Sequence, residues 1–243
     1  MDPNSPAVKI GFTPFDYTKA GVYGDRAWIR KAASVKFPLL EIAPEPPPVS
    51  IDEGFETTPT GQSPAGAECN VENKGDAIVV TDETAANGEH SLKILDAPGL
   101  QHAYNPHCVY TPNHSTGTTR CAFDIRIGRD VRISHEWRDW RTSPYGVGPS
   151  FTIDGSQLKV AGKTLLELPV EQWVHVEITA ALGDKSRGGW DMAVTVPGQK
   201  RGEFKGLKNA NAGFERLTWL GFTSNATKQT VFYLDNLKLT NNT

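Results

Sequence analysis

Residues 133–140, ISHEWRDW, bring a histidine, a glutamate, an arginine, an aspartate and two tryptophans into one short stretch. Such side chains could transfer protons, bind hydroxyl or carboxylate groups, or stack on the C–H face of a sugar ring. The stretch alternates as in a β-strand, whose successive side chains point to opposite faces. We therefore expect His135 and Trp137 to face a hydrophobic core. The side chains expected to face outward are Glu136, Arg138 and Trp140.

Neighbouring strands extend this polar face if the chain forms two hairpins. The segment between Cys108 and Cys121 contains a Pro/Asn/Gly turn, which predicts a hairpin with the two cysteines opposite each other. A second hairpin is predicted to turn at residues 128–130, with Phe123 beside His135. Three adjacent strands would then share one face that carries Asn105, His107, Arg120, Asp124, Arg126, Glu136 and Arg138.

The shared face has two interpretations. It could be a glycan cleft, because sugar hydroxyls pair with planar Arg, Asp, Glu and Asn groups and sugar rings stack on aromatic rings. Ala122 would leave a gap of about 10 Å, two strand spacings, between His107 and Glu136. It could equally be a solvated sheet surface whose cross-strand ion pairs each contribute less than about 1 kcal/mol. The predicted carbohydrate-binding residues are Asn105, His107, Arg120, Asp124, Arg126, Glu136, Arg138, Trp140 and Tyr145, with Trp190 as a further stacking candidate.

The cysteines are Cys69, Cys108 and Cys121, an odd number at wide spacing, which excludes a disulfide scaffold and a zinc ribbon. In the predicted hairpin, Cys108 and Cys121 are near enough for a disulfide bond. Such a bond would indicate an extracytoplasmic location. The alternative, two buried thiols that happen to be neighbours, stays open.

The composition of the chain limits its partners. Its 243 residues are 38% hydrophobic and 22% charged, which is typical of a globular protein. The net charge is −3 and no basic stripe is present, so neither a nucleic acid nor an anionic membrane is indicated as a partner. No apolar run reaches the roughly 20 residues of a membrane-spanning helix, and the N-terminus lacks a signal-peptide pattern.

The elements that would position these residues are β-strands. Residues 1–50 form an irregular N-terminal arm with a short amphipathic stretch and a Pro-rich linker, EIAPEPPPVS. From residue 51 to 243, short runs rich in Val, Ile, Thr, Phe and Trp alternate with Gly, Asn, Asp and Pro. About a dozen such runs predict an all-β fold, a jelly-roll (concanavalin-like) β-sandwich.

Two short motifs resemble those of known carbohydrate-active modules. Gly54-Phe55-Glu56 and Tyr233-Leu234-Asp235-Asn236 are similar to the opening and closing elements of concanavalin-like and carbohydrate-binding jelly rolls of secreted polysaccharide-degrading enzymes. The resemblance implies non-catalytic binding of a plant or algal glycan. It also implies a structural Ca²⁺, because related modules hold calcium through matching carboxylates, and calcium takes oxygen ligands. The metal ligands predicted on this basis are Glu56, Asp235 and Asp52.

A second resemblance concerns residues 4–25, NSPAVKIGFTPFDYTKAGVYGD, which look like the tail of right-handed parallel β-helix glycoside hydrolases. It implies that an N-terminal β-helix catalytic domain precedes the sandwich in a longer chain. It also implies a secreted or periplasmic location in a bacterium. A structural role, in which the sandwich closes the end of the β-helix, is one alternative function.

The strand that contains Glu136 and Arg138 also resembles a catalytic strand. The pair is similar to part of the Arg-x-Glu-x-Arg strand of jelly-roll alginate lyases, with Ser134 in place of the first Arg. Such lyases hold a sugar carboxylate with Arg or Asn and remove the C5 proton with Tyr or His. The other alternative function is therefore a catalytic jelly roll, a polysaccharide lyase or glycoside hydrolase, that uses His107, Glu136 and Arg138.

Overall fold

The computed structural model describes residues 6, 10–13, 21–36 and 44–242. The chain divides into two units, Met1–Glu45 and Pro46–Thr243. The stretch that resembles the tail of a β-helix, residues 4–25, lies largely outside the described residues, as does part of the predicted Pro-rich linker.

The described part of the first unit contains helix α1, Arg26–Ser34. Its first turn is capped by Asp25, whose side chain accepts a hydrogen bond of 2.6 Å from the backbone N–H of Ala27. The amphipathic stretch of the sequence is thus a helix, and none of its side chains is buried.

The second unit is built from strands that follow the two-residue alternation of the sequence. This unit also contains a short 3-10 turn, Gly183–Lys185. In the described residues the strands are, in chain order, β1 Ile51–Glu53, β2 Glu68–Asn70, β3 Ala77–Thr81, β4 Ser91–Asp96, β5 His107–Tyr110, β6 Gly117–Ile127, β7 Arg132–Asp139, β8 Gly146–Asp154, β9 Gln157–Val160, β10 Lys163–Glu167, β11 Trp173–Leu182, β12 Gly189–Thr195, β13 Gly202–Lys208, β14 Trp219–Ser224 and β15 Thr230–Asn242.

These strands form two antiparallel sheets. Sheet A has the order β13-β12-β11-β6-β15-β4-β3, with β1 paired to β15. Sheet B has the order β10-β9-β8-β7-β14-β5-β2. The apolar inner faces of the two sheets pack together, as where the rings of Phe123 on β6 and Phe222 on β14 meet edge to face at 5.0 Å. The predicted all-β sandwich is confirmed, and no helix in the described ranges is long and apolar enough to cross a membrane.

The alternation correctly predicted which side chains enter the core. Cys121, Phe123 and Ile125 on β6 are buried, as is His135 with Trp137 on β7. The indole N–H of Trp137 donates to Nε2 of His135 at 3.1 Å. Burial lowers the pKa of His135 to about 3, so the ring is a neutral part of the core.

Both predicted hairpins are wrong. Cys108 lies on β5 in sheet B and Cys121 on β6 in sheet A, so the two free thiols are not cross-strand partners. Strands β6 and β7 also lie in different sheets, and Phe123 meets His135 across the core at 5.4 Å between ring centroids. Alternation shows which side chains point inward, but it is the same for a hairpin and for a crossover to the opposite sheet.

Candidate functional site

The predicted polar face is divided between the two outer surfaces of the sandwich. We name these surfaces the A face and the B face, after the sheets whose outward side chains form them. Three predicted residues lie on the A face, namely Arg120, Asp124 and Arg126 on β6. The others lie on or beside sheet B, namely Asn105, His107, Glu136, Arg138, Trp140 and Tyr145.

An arginine–aromatic cluster occupies the B face. It consists of Arg138 and three rings, those of Trp219, Tyr145 and Trp140. The central guanidinium carbon of Arg138 lies 3.9 Å from the ring centroid of Trp219, 4.8 Å from that of Tyr145 and 5.9 Å from that of Trp140. The rings of Trp140 and Tyr145 lie 4.6 Å apart and are 52% and 37% exposed. The cluster therefore presents aromatic surface and a cation together.

A glycine explains how Trp219 comes to lie against the sheet. Arg138 and Trp219 are directly opposite on β7 and β14, and Gly221 is the next outward position on β14. A Cβ atom at Gly221 would overlap the six-membered ring of Trp219. Because Gly221 has no side chain, the indole can cover the strand and carry the guanidinium of Arg138.

Glu136 orients the guanidinium from the same strand. Its Oε2 accepts a hydrogen bond of 2.7 Å from Nε of Arg138. The side chains of Glu136 and Arg138 are 28% and 19% exposed. The guanidinium carries five N–H donors, and its terminal NH₂ groups have no hydrogen-bond partner among the described residues. They are available to a sugar hydroxyl or carboxylate.

A hydrogen-bonded network fixes His107 at one side of the B face. The amide Nδ2 of Asn105 donates to Glu72 at 3.0 Å, which defines the orientation of the amide group. The Oδ1 atom of Asn105 lies 2.9 Å from Nδ1 of His107 and can only accept. Nδ1 of His107 therefore carries the proton, and Nε2 of the neutral ring has a lone pair with no hydrogen-bond donor among the described residues.

The electrostatic surroundings keep His107 neutral. Burial is the largest influence on the pKa of His107 and lowers it. The backbone carbonyl of Tyr104 and the negative charge of Glu68 oppose this shift with smaller effects, and the positive charge of Arg138 makes the smallest contribution, which also lowers the pKa. Glu72 is firmly ionised, because hydrogen bonds from the backbone N–H of Gln101 and from Lys74 lower its pKa to about 2. A neutral imidazole beside a fixed cation could accept a proton near neutral pH.

The register places His107 and the cluster on one surface. On β14, Thr223 is opposite both His107 and Ser134, whereas Gly221 is opposite Glu136. His107 and Glu136 are thus two strands apart, about 10 Å across the sheet. They are also offset by two residues along the strands, unlike the single row that the sequence predicted. The strand between them is β14, which has Gly221 and Thr223 at these two positions, rather than the strand of Ala122.

The A face carries a network of ion pairs. Asp124 accepts a hydrogen bond of 2.8 Å from Nδ1 of His175, and this contact raises the pKa of His175. Nε2 of the same ring lies 3.5 Å from Glu177, whose two oxygens accept hydrogen bonds of 2.6 and 3.0 Å from Arg201. A shallow depression of about 160 Å³ lies beside Glu177 and Arg201.

The other two predicted residues of the A face have different surroundings. Arg126 donates to the backbone carbonyl of Glu171 at 3.1 Å, and its guanidinium lies 5.6 Å from the ring of Tyr233. Arg120 is exposed. Neither residue lies on the surface that carries Glu136 and Arg138.

The three predicted calcium ligands each have separate partners. Asp52 pairs with Lys238 at 2.9 Å. Glu56 and the fully buried Asp235 accept hydrogen bonds of 2.7–3.1 Å from backbone N–H groups in the loop of residues 86–90. Burial raises the pKa of Asp235. Within the described residues, no three His, Cys, Asp or Glu side chains gather as metal ligands, so the calcium site stays a prediction.

Sequence reasoning missed three residues of the B face and misplaced one ring. Trp219 lies under Arg138. The stacking candidate Trp190 is instead buried in the core, with its indole N–H donating to the carbonyl of Lys208. The Trp-x-Gly spacing on β14 is a signal that could have revealed Trp219, since a strand glycine often marks a close approach. Glu72 and Tyr104 were also missed; the ring of Tyr104 meets that of His107 at 5.8 Å.

Comparisons with known proteins extend the fold assignment. No protein-family model and no curated protein sequence matches the chain. A solved endo-β-1,4-glucuronan lyase from the fungus Trichoderma reesei is similar with a TM-score of 0.54 and 10% identity, over 80% of this chain and 95% of that one. The cellulose-induced protein Cip1 is similar with a TM-score of 0.54 and 14% identity, over 78% and 96%.

A mutant alginate lyase in complex with an alginate trisaccharide gives a TM-score of 0.50 at 12% identity, over 81% of this chain and 99% of that one. At such low sequence identity, these similarities establish the fold and nothing further. The chain is an all-β jelly-roll sandwich of the architecture found in polysaccharide lyases.

Proposed function

We propose that the chain binds a polysaccharide on its B face, as a non-catalytic carbohydrate-binding module. The observation that carries this proposal is the arginine–aromatic cluster. Aromatic rings can stack on the C–H faces of sugars, and the terminal NH₂ groups of Arg138 can donate in parallel to a carboxylate or to neighbouring hydroxyls. The exposure of Trp140 and Tyr145 makes the ring surface accessible to a long polymer.

The arginine in the cluster favours an acidic glycan. Two of the solved structures with this fold are lyases named for glucuronan and alginate, both acidic polysaccharides. Arg138 suits an acidic sugar, because a planar guanidinium matches the geometry of a carboxylate. The first panel should therefore contain plant and algal glycans of both acidic and neutral kinds.

Affinity gel electrophoresis tests the proposal. Retardation of the chain by at least one glycan is expected, and Arg138→Ala should abolish it. Arg120→Ala, which removes an exposed arginine from the A face, is the matched control and should be retarded like the unmodified chain. Equal loss of retardation in both variants, or no retardation by any glycan, would contradict binding at the cluster.

The network that holds His107 favours a second candidate function, a polysaccharide lyase. In such a reaction Arg138 would neutralise the carboxylate of a uronic acid, and the free Nε2 of His107 would remove the C5 proton. The electron pair would form the C4–C5 double bond as the bond from C4 to the glycosidic oxygen breaks, and that oxygen would leave as an alkoxide that takes a proton from water. Glu136 would hold the guanidinium of Arg138 in position.

The two candidates differ in product and in mutational response. A lyase releases unsaturated uronates that absorb ultraviolet light, and His107→Ala should eliminate this product while Arg138-dependent binding persists. His175→Ala on the A face is the control. If the chain binds an acidic glycan without forming any unsaturated product, the lyase candidate fails and the binding module stands.

We also propose the biological setting that the sequence resemblances imply. The module would belong to a secreted or periplasmic bacterial enzyme and would follow a β-helix catalytic domain. A structural cap for that domain remains the alternative. It would be favoured if the sandwich binds no glycan and the longer protein aggregates without it.

A further inference from the structure

Two thiols meet at the edge of sheet B. Cys69 on the edge strand β2 and Cys108 on β5 are directly opposite in an antiparallel pair. Their Sγ atoms lie 3.5 Å apart. The third cysteine, Cys121, is buried on β6 of the other sheet. The hairpin inferred from the sequence had paired Cys108 with the wrong partner.

The backbone geometry of the pair suits a covalent bond. Directly opposite residues of antiparallel strands have Cα atoms about 4.5–5.5 Å apart, within the range that disulfides span. A disulfide has a sulfur–sulfur distance of about 2.05 Å, so each sulfur would move by less than about 1 Å. Rotation of the two side chains can supply that movement, and β2 is the edge strand of sheet B.

We propose that Cys69 and Cys108 are a redox-active thiol pair, which a small-molecule or protein disulfide oxidises to an intramolecular disulfide. The bond would fasten the three-residue edge strand β2 to β5. It would lie one residue from Asn70 and His107, which are themselves opposite each other. The proposal does not depend on glycan binding.

The two sulfurs have different roles. Cys108 is fully buried, whereas Cys69 is half-buried at the sheet edge. The hydrogen bond between the two sulfurs lowers the pKa of Cys69 and raises that of Cys108, which is consistent with Cys108 donating its S–H to a Cys69 thiolate. The thiolate is the nucleophile in disulfide exchange, so Cys69 reacts first.

The reaction balances in two steps. The Cys69 thiolate attacks one sulfur of the oxidant's disulfide, forms a mixed disulfide and releases one thiolate. Cys108 then loses its proton and attacks the Cys69 sulfur, which displaces the second thiolate. Two electrons pass from the protein to the oxidant, whose two sulfurs leave as thiols carrying the two protons.

Mass mapping tests the pairing without any mutation. The chain is incubated with oxidised glutathione, free thiols are alkylated under denaturing conditions, and the protein is digested without reductant. We expect a peptide pair linked through Cys69 and Cys108, with Cys121 alkylated. Alkylation of all three cysteines, or a linkage that includes Cys121, would overturn the proposal.

Matched variants give a second readout. Oxidation should raise the melting temperature by roughly 5 °C or more, because a native disulfide restricts the unfolded chain. Cys121→Ser should keep this rise, and Cys69→Ser should lose it. Cys69 is half-buried, so its replacement is tolerated better than that of Cys108. A rise that persists in Cys69→Ser would contradict the assignment.

Discussion

The two outer faces of the sandwich carry similar residue types in different arrangements. The A face joins Asp124, His175, Glu177 and Arg201 into a chain of ion pairs. The B face places Arg138 against aromatic rings, with Glu136 as its one carboxylate partner in the described part of the chain. Side chains whose charges already pair with one another gain little free energy from binding a ligand. A cation beside exposed rings keeps hydrogen-bond donors and stacking surface for a ligand. Whether an arginine can bind a glycan therefore depends more on its neighbours than on its position on an outer face.

The largest expected difference between the faces concerns their tryptophans. Trp219→Ala removes the ring under Arg138 and should weaken glycan binding by roughly 10- to 100-fold, the loss of one stacked aromatic contact and its cation–π partner. Trp173→Ala removes a ring from the sheet A side, where the indole donates to Thr84, and should leave affinity unchanged. Calorimetric titration measures both. Equal losses in the two variants would remove the distinction between the faces.

A subtler change to the B face adds one methyl group. Gly221→Ala should displace the Trp219 ring, because the new Cβ would overlap it, and weaken binding by about tenfold. Gly213→Ala adds a methyl group where no atom lies within 4 Å and serves as the control. Affinity and melting temperature should be measured together. Unchanged affinity in Gly221→Ala would show that the position of the indole is unimportant.

On the A face we expect an effect of pH on stability. The pKa of His175 is raised above 6.5 by its hydrogen bond to Asp124, so the folded state binds the proton more tightly than the unfolded state. This stabilisation is full below about pH 6.5 and is lost as the pH rises through the raised pKa. Since the ring is 38% exposed, it amounts to less than about 1 kcal/mol.

His175→Gln should therefore lower the melting temperature by a few degrees near about pH 6 and by less near about pH 9. Glycan affinity should not change at either pH. A melting difference that grows with pH would show that the sign of this linkage is wrong.

The smallest expected effect concerns calcium. Glu56 and Asp235 already hold the loop of residues 86–90 through backbone hydrogen bonds. Calcium binding should therefore add little to the stability of this loop. We expect a chelator to lower the melting temperature by about 1–2 °C. Asp130→Asn, which removes an exposed ion pair with Lys228 away from the predicted ligands, should leave this shift unchanged. No shift with chelator would count against Glu56 and Asp235 as ligands.

The sequence predicted the class of fold and the direction of most side chains. Alternation correctly placed Phe123, His135 and Trp137 in the core and Glu136 and Arg138 outside, because it depends only on the two-residue period of a strand. It did not predict which sheet each strand joins. Strand pairing is decided by contacts between distant segments, such as β14 with β5 and β7. The spacing of residues within one strand does not indicate which distant strand it pairs with.

The candidate site was predictable in part for the same reason. Residues of β7 and the loop after it, such as Arg138 and Tyr145, were found because they are close in the chain. Trp219 and Glu72 were missed, since they reach the site from distant segments. Arg120 points outward as predicted, but it lies on sheet A and therefore not on the B face.

The most direct test of binding at the B face is to titrate the isolated chain with a fragment of the glycan that gives the strongest gel retardation, and to follow the backbone amide resonances by NMR. We predict that amide resonances shift in β5, β7 and β14, centred on Arg138 and Trp219, while those of β6 and β11 stay in place. Shifts centred on β6 and β11, around Arg120 and His175, would contradict the assignment of the B face as the binding surface.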